Sequence, residues 1–196
     1  MFPIKIIFSL VFLIFCCSPP SGKCLKGNCK NGYGVLLYTD NSRYDGEFKD
    51  GKKQGHGVFT NSQGDTYEGM WVDNKKSGLG IYQYPNGELY KGHWTNNKKS
   101  GEGTFTWKDG TMYQGQWKNG KPEGKGDLIF PKSLIALEGE YKNGTIYSGK
   151  GMYIYDDGSR YIGEWQEGKR EGKGILFDSS KNILKKGTWK KDKFIK

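Results

Sequence analysis

One five-residue phrase recurs along this chain so regularly that it fixes what the chain can become. The phrase is Tyr-x-Gly-x-aromatic. It appears at Tyr44–Phe48, Tyr67–Trp71, Tyr90–Trp94, Tyr113–Trp117 and Tyr161–Trp165. A variant copy, Leu137–Tyr141, sits between the last two, and a worn copy, Lys185–Trp189, follows. The first three steps are 23 residues and the last three are 24. Self-similarity at such a period marks a repeat architecture, in which each unit buries its apolar face only against its neighbours.

A second phrase, Gly-x-Gly, lies between the copies of the first, at Gly32/Gly34, Gly55/Gly57, Gly78/Gly80, Gly101/Gly103, Gly124/Gly126, Gly149/Gly151 and Gly172/Gly174. Turn signals close most units: Gln63-Gly64, Asn86-Gly87, Asp109-Gly110 and Asp157-Gly158. The chain has 31 glycines, yet 15% of it is aromatic. A disordered chain is poor in aromatics, so the glycine content points to short strands and tight turns. Mean hydropathy is −0.79, which suits a thin sheet and not a thick core.

Alternation in a strand puts Tyr67, Gly69 and Trp71 on one face. The same parity joins Gly78, Gly80, Tyr82 and Tyr84, and likewise Gly101, Gly103, Phe105 and Trp107. One face of each hairpin therefore carries aromatics and glycines. A glycine leaves a hollow that a neighbouring ring can cover. The expected fold is all-β: an elongated single-layer antiparallel sheet of tandem β-hairpins, with about 13 strands extending roughly 60 Å.

The array from Asn31 to about Lys193 resembles MORN (membrane occupation and recognition nexus) repeats. The resemblance implies a scaffold for protein–protein contacts near membranes. The departures are local: Leu137 stands for Tyr, and residues 131–134 and 179–182 replace the Asx-Gly turn.

Residues 1–16 read as a lipoprotein-type signal peptide. Lys5 is the only charge, and the nearly unbroken apolar run Ile6–Phe15 is too short to span a membrane. The run ends on Cys16-Cys17, which resembles a bacterial lipobox with Cys17 as the lipidated residue and Cys16 as the alternative. Residues 17–30 then form a lipidated tether, and export to an oxidising compartment leaves Cys24 and Cys29 to pair. Residues 31–196 form the repeat array, about six full repeats with partial ends.

The net charge of +10 is arranged periodically. The turns after each first phrase carry Lys52-Lys53, Lys75-Lys76, Lys98-Lys99, Lys121 and Lys169-Arg170. The opposite turns carry Asp65, Glu88, Asp109, Asp156 and Asp157. A basic edge facing an acidic one is expected, and the basic edge is a candidate surface for anionic lipid or glycan. The candidate protein-binding face is Tyr67, Trp71, Tyr90, Trp94, Tyr113, Trp117, Tyr161 and Trp165.

No catalytic constellation is legible. His56 and His93 occupy non-equivalent positions without a motif Ser, Cys or Asp beside them. The Gly-x-Gly pairs belong to strands and open no helix that would present amide groups to a phosphate. The expectation is a non-enzyme with no cofactor, no metal, no nucleic acid and no small-molecule substrate. It is exported and membrane-anchored in a bacterial envelope, and its partner is another protein or a second copy of itself. A structural spacer is the remaining reading.

Overall fold

A computed structural model describes residues 22–131 and 136–196. The signal peptide, Cys16 and Cys17 lie outside the described residues. The first eight strands are β1 (Gly22–Gly27), β2 (Gly32–Tyr38), β3 (Arg43–Lys49), β4 (Lys52–Thr60), β5 (Thr66–Val72), β6 (Lys75–Gln83), β7 (Leu89–Thr95) and β8 (Lys98–Thr106). The rest are β9 (Met112–Lys118), β10 (Lys121–Ile129), β11 (Ala136–Lys142), β12 (Thr145–Ile154), β13 (Arg160–Gln166), β14 (Lys169–Phe177), β15 (Ile183–Lys190) and β16 (Lys193–Phe194). The sixteen described strands form one antiparallel sheet in strict chain order. This exceeds the expected number of about thirteen, chiefly because short strands β1 and β16 are added at the two ends. At a strand spacing of ~4.8 Å the sheet extends about 70 Å.

The register is set by glycine. Gly34, Gly46, Gly57, Gly69, Gly80, Gly92, Gly103, Gly115 and Gly126 pair successively across the sheet. The row continues through Gly139 to Gly149, then from Gly151 through Gly163 and Gly174 to Gly187. The jump from Gly149 to Gly151 lies in β12, the only ten-residue strand described.

Tyrosine explains the row. The Tyr67 ring lies against Gly80, Tyr90 against Gly103 and Tyr113 against Gly126, so that a Cβ at any of these glycines would fall inside the ring. Each hydroxyl then donates to a backbone carbonyl three residues on, 3.0 Å from Met70 O, His93 O and Gln116 O respectively. The buried phenols are thus satisfied, as burial requires.

The first glycine of most Gly-x-Gly pairs has a different task from the one expected. Gly55, Gly78, Gly101 and Gly172 adopt φ of +57 to +64°, next to register shifts in β3–β4, β5–β6, β7–β8 and β13–β14. They are left-handed bulge residues, where a Cβ is strained. In these pairs the second glycine, Gly57, Gly80, Gly103 or Gly174, is the hollow for a ring.

The segment 17–30 is not wholly a tether. Gly22–Gly27 is strand β1, paired with β2, and the Cys24–Cys29 disulfide closes the turn that follows it. The covalent link pins the first edge strand at its end.

Candidate functional site

The two-residue turns along the lysine edge are of type I′, with both central residues at positive φ. Asp73-Asn74 and Asn96-Asn97 are two of them. Their second residues stitch neighbouring hairpins together. Asn74 Oδ1 accepts the Lys53 amide at 2.8 Å, and Asn97 Oδ1 accepts the Lys76 amide at 2.8 Å. This fixes the start of each following strand, and strand alternation then sends the two lysines of each pair to opposite sides.

The basic edge expected from the sequence is therefore divided. Lys52, Lys75, Lys98, Lys121 and Lys169 project into solvent. Lys52 pairs with Asp73 at 3.3 Å, an exposed bridge of little energetic weight. Lys53, Lys76, Lys99 and Arg170 instead fold over the aromatic face. Lys53 Nζ lies 4.2 Å from the Phe59 ring centre and 4.3 Å from that of Trp71. Lys76 Nζ lies 4.1 Å from Tyr82 and 4.8 Å from Trp94. Lys99 Nζ lies 4.2 Å from Phe105 and 5.0 Å from Trp117. Arg170 covers Trp189 at 4.3 Å and is tied to Asp192 at 3.2 Å. Each cation sits over a π-face, which attracts it. Burial among the rings pushes the Lys53, Lys76 and Lys99 groups down to about 8.

The rings form two tiers. Tyr67, Trp71, Tyr90, Trp94, Tyr113, Trp117, Tyr161 and Trp165, expected as the contact surface, are at most 8% exposed. They are the floor. Within each phrase tyrosine meets tryptophan edge-on, as Tyr67 does Trp71 at 5.0 Å, and the next tryptophan closes the other side, Tyr67 to Trp94 at 5.4 Å. Trp71, Trp117 and Trp189 also donate Nε1–H to Gly57 O, Gly103 O and Gly174 O at 3.0 to 3.2 Å. Such rings are committed to the fold.

The accessible tier is a second row: Phe59, Tyr82, Tyr84, Trp107, Tyr153 and Tyr155 are half-buried, and of these the sequence placed Tyr82, Tyr84 and Trp107 on this face without naming them as contact residues. The alternation running on from each Gly-x-Gly was the signal for them. Between β8 and the β13–β14 turn the face deepens into a groove of about 1000 Å³. Lys99, Pro122 and Ile146 line it, together with Trp107, Tyr153 and Tyr155. Pro122 and Ile146 occupy the positions that hold an inward lysine in the earlier repeats, so the cationic ladder gives way there to an apolar wall.

The acidic residues Asp65, Asp109 and Asp157 do occupy the opposite turns. Asp109 and Asp157 accept the backbone amides of Thr111 and Ser159 at 2.8 Å, so they brace the loops. On the other face, His56 stands 4.0 Å from Glu68, and His93 Nδ1 lies 3.2 Å from the Glu102 carbonyl. Among the described residues no three His, Cys, Asp or Glu side chains are grouped to hold a metal ion. Among the described residues no helix is long and apolar enough to cross a membrane.

Among curated proteins no relative matches the chain. Among solved structures it is similar to the SAS-4 (dCPAP) TCP domain of Drosophila melanogaster, solved in complex with a proline-rich motif of dSTIL. Identity there is 9%, over 74% of this chain and 94% of that one, with a TM-score of 0.40. Virginiamycin B lyase from Staphylococcus aureus is similar at 8% identity over 84% of this chain and 72% of that one, with a TM-score of 0.21. The MORN repeat model matches residues 26–43, 44–66, 67–88, 90–112, 113–134, 138–160 and 161–182, so this chain belongs to the MORN repeat family.

Proposed function

We propose that the protein is a non-catalytic binding scaffold, exported and held at a bacterial cell envelope by a lipid on Cys17, whose aromatic face receives a segment of a partner protein. One observation carries the binding part: a row of half-exposed rings stands over a floor of fully packed ones, beside a groove of about 1000 Å³. Concave, mostly apolar surface with a few placed polar groups is what binding sites share. The anchor rests on the sequence of residues 1–17.

A photo-crosslinking amino acid at Tyr84 or Trp107, compared with one at Leu79 on the opposite face, tests the binding reading in the native cell. Discrete adducts from the aromatic face alone support it. Adducts of doubled chain mass would make the partner a second copy. Equal labelling from Leu79, or none from either face, would reject it. Intact mass from the membrane fraction tests the anchor. A chain beginning at Cys17 with added acyl groups supports it, whereas a mass beginning at Met1 removes export altogether.

The outward lysines favour a second reading, docking on anionic lipid or glycan. Lys52, Lys75, Lys98, Lys121 and Lys169 stay exposed along one edge. Binding to anionic vesicles should fall with salt and vanish on charge reversal at Lys52, Lys75 and Lys98. Retention of that binding in the reversed variant would leave the edge a solubilising surface.

A further inference from the structure

The chemistry of the aromatic face specifies the kind of segment it would take. Lys53, Lys76 and Lys99 begin alternate strands, β4, β6 and β8, so their ammonium groups recur every second strand. That is a step of about 9.6 Å along the sheet. Among the described residues no carboxylate lies within ion-pair distance of any of the three, and none of their ammonium groups has a protein hydrogen-bond acceptor. Asp65 acts on Lys76 and Glu88 on Lys99 through space, without contact. Lys53 is left facing only the repulsion of Lys76. Three partly desolvated cations thus line an aromatic surface, held by ring faces and with no protein acceptor for their ammonium hydrogens. A row of carboxylates would satisfy them.

The step selects the conformation of the ligand. In an extended β-strand, side chains return to the same side every second residue, at about 6.6 Å, which misses the lysine spacing. In polyproline II they return every third residue, at about 9.3 Å, which matches it. This conformation also suits the wall, because polyproline II segments dock against rows of aromatic side chains. Here those are Phe59, Tyr82, Tyr84 and Phe105, each within 6 Å of an inward lysine. In the next two repeats Pro122 and Ile146 continue the same positions as apolar contacts in the groove.

We propose that the occupant of this face is an acidic segment of a partner protein in the polyproline II conformation, with a carboxylate at every third residue opposite Lys53, Lys76 and Lys99 and apolar residues opposite Pro122 and Ile146. This rests on reading the aromatic face as the binding surface. It differs from the edge reading in using the inward lysine of each pair and not the outward one.

The test uses the full chain and fluorescein-labelled synthetic peptides of fifteen residues, read by anisotropy. One peptide repeats Glu-Pro-Pro. The other has the same composition with its glutamates clustered out of that period. The first should bind at least roughly tenfold more tightly. Replacing Lys53, Lys76 and Lys99 together by Gln should remove that preference, while the same change at Lys52, Lys75 and Lys98 should leave it within about twofold. The peptide comparison on the unaltered protein stands even if the inward triple variant fails to fold. Equal binding of the two peptides, or equal loss from the outward triple variant, overturns the proposal. So does displacement of the periodic peptide by phosphatidylglycerol vesicles with loss confined to the inward triple variant, which would give the ladder to lipid. Face-specific crosslinks in the cell combined with equal peptide binding would sink the acidic-segment proposal while leaving the binding reading intact.

Discussion

The indole of Trp117 donates its Nε1–H to the carbonyl oxygen of Gly103, 3.0 Å away on the neighbouring strand. The ring thereby fills the floor and satisfies a carbonyl of the glycine row in one placement. Trp165 departs from this pattern. Its Nε1 is buried without a partner, beside β12, whose extra residue shifts the glycine row. Trp117→Phe should therefore lose a hydrogen bond and leave a carbonyl unsatisfied, costing about 1–2 kcal/mol. Trp165→Phe removes an orphaned donor and should cost clearly less. Urea midpoints of the two variants measure the difference, and equal losses would mean the bond at Trp117 contributes nothing.

Gly103 and Gly87 separate two demands placed on glycine. A Cβ at Gly103 would fall inside the Tyr90 ring, whereas at Gly87 nothing lies within 4 Å and only its φ of +91° resists a side chain. Gly103→Ala should destabilise by about 2–3 kcal/mol through overpacking. Gly87→Ala should cost about 1 kcal/mol from backbone strain alone. Denaturant titration of both checks the ranking. Near-UV circular dichroism should change only for Gly103→Ala, because only there must a ring move.

The buried cations and phenols give stability a maximum at alkaline pH. Desolvation lowers Lys53, Lys76 and Lys99 to about 8, and raises Tyr82 and Tyr161 to about 12. Between pH 8 and 10 the unfolded chain holds protons that the folded lysines have released, so stability rises with pH. Above pH 10 the unfolded tyrosines lose protons that the folded ones keep, so stability falls. Denaturation midpoints at about pH 7, 9.5 and 11.5 should be low, high and low. Substituting Met at all three inward lysines should abolish the rise and spare the fall.

Reducing the Cys24–Cys29 disulfide should act locally. β1 contacts only β2 in the sheet order, and repeat arrays couple mainly through nearest neighbours. Amide exchange in Gly22–Gly27 should accelerate on reduction. Exchange in β5 to β10 should not change. A loss of protection throughout the array would show that the first edge nucleates the rest.

The sequence exposed the repeat, the hairpins and the glycine–aromatic face, because these depend on spacing and on strand alternation alone. The role of the eight floor rings was less legible. Tyr67 and Trp94 look like a recognition surface in a list of letters, and only the packing of one hairpin on the next reveals that each is closed in by the other. The lysine pairs were misread for a related reason. Treating Lys52-Lys53 as one charged tip overlooked that adjacent strand residues point to opposite sides. The bulge at Gly55, Gly78 and Gly101 has no separate letter code, since the same residue serves a hollow and a left-handed turn. The first strand was hidden because Gly22–Gly27 lacks the Tyr-x-Gly-x-aromatic phrase altogether.

The paired glycines that cross nearly every strand form a crease along the length of the sheet. The rings of Tyr44, Tyr67, Tyr90 and Tyr113 lie across it, so neighbouring hairpins meet there ring on backbone. The inward lysines reach across this line to the second tier of rings, so each early repeat is clasped from both sides of its glycine pair.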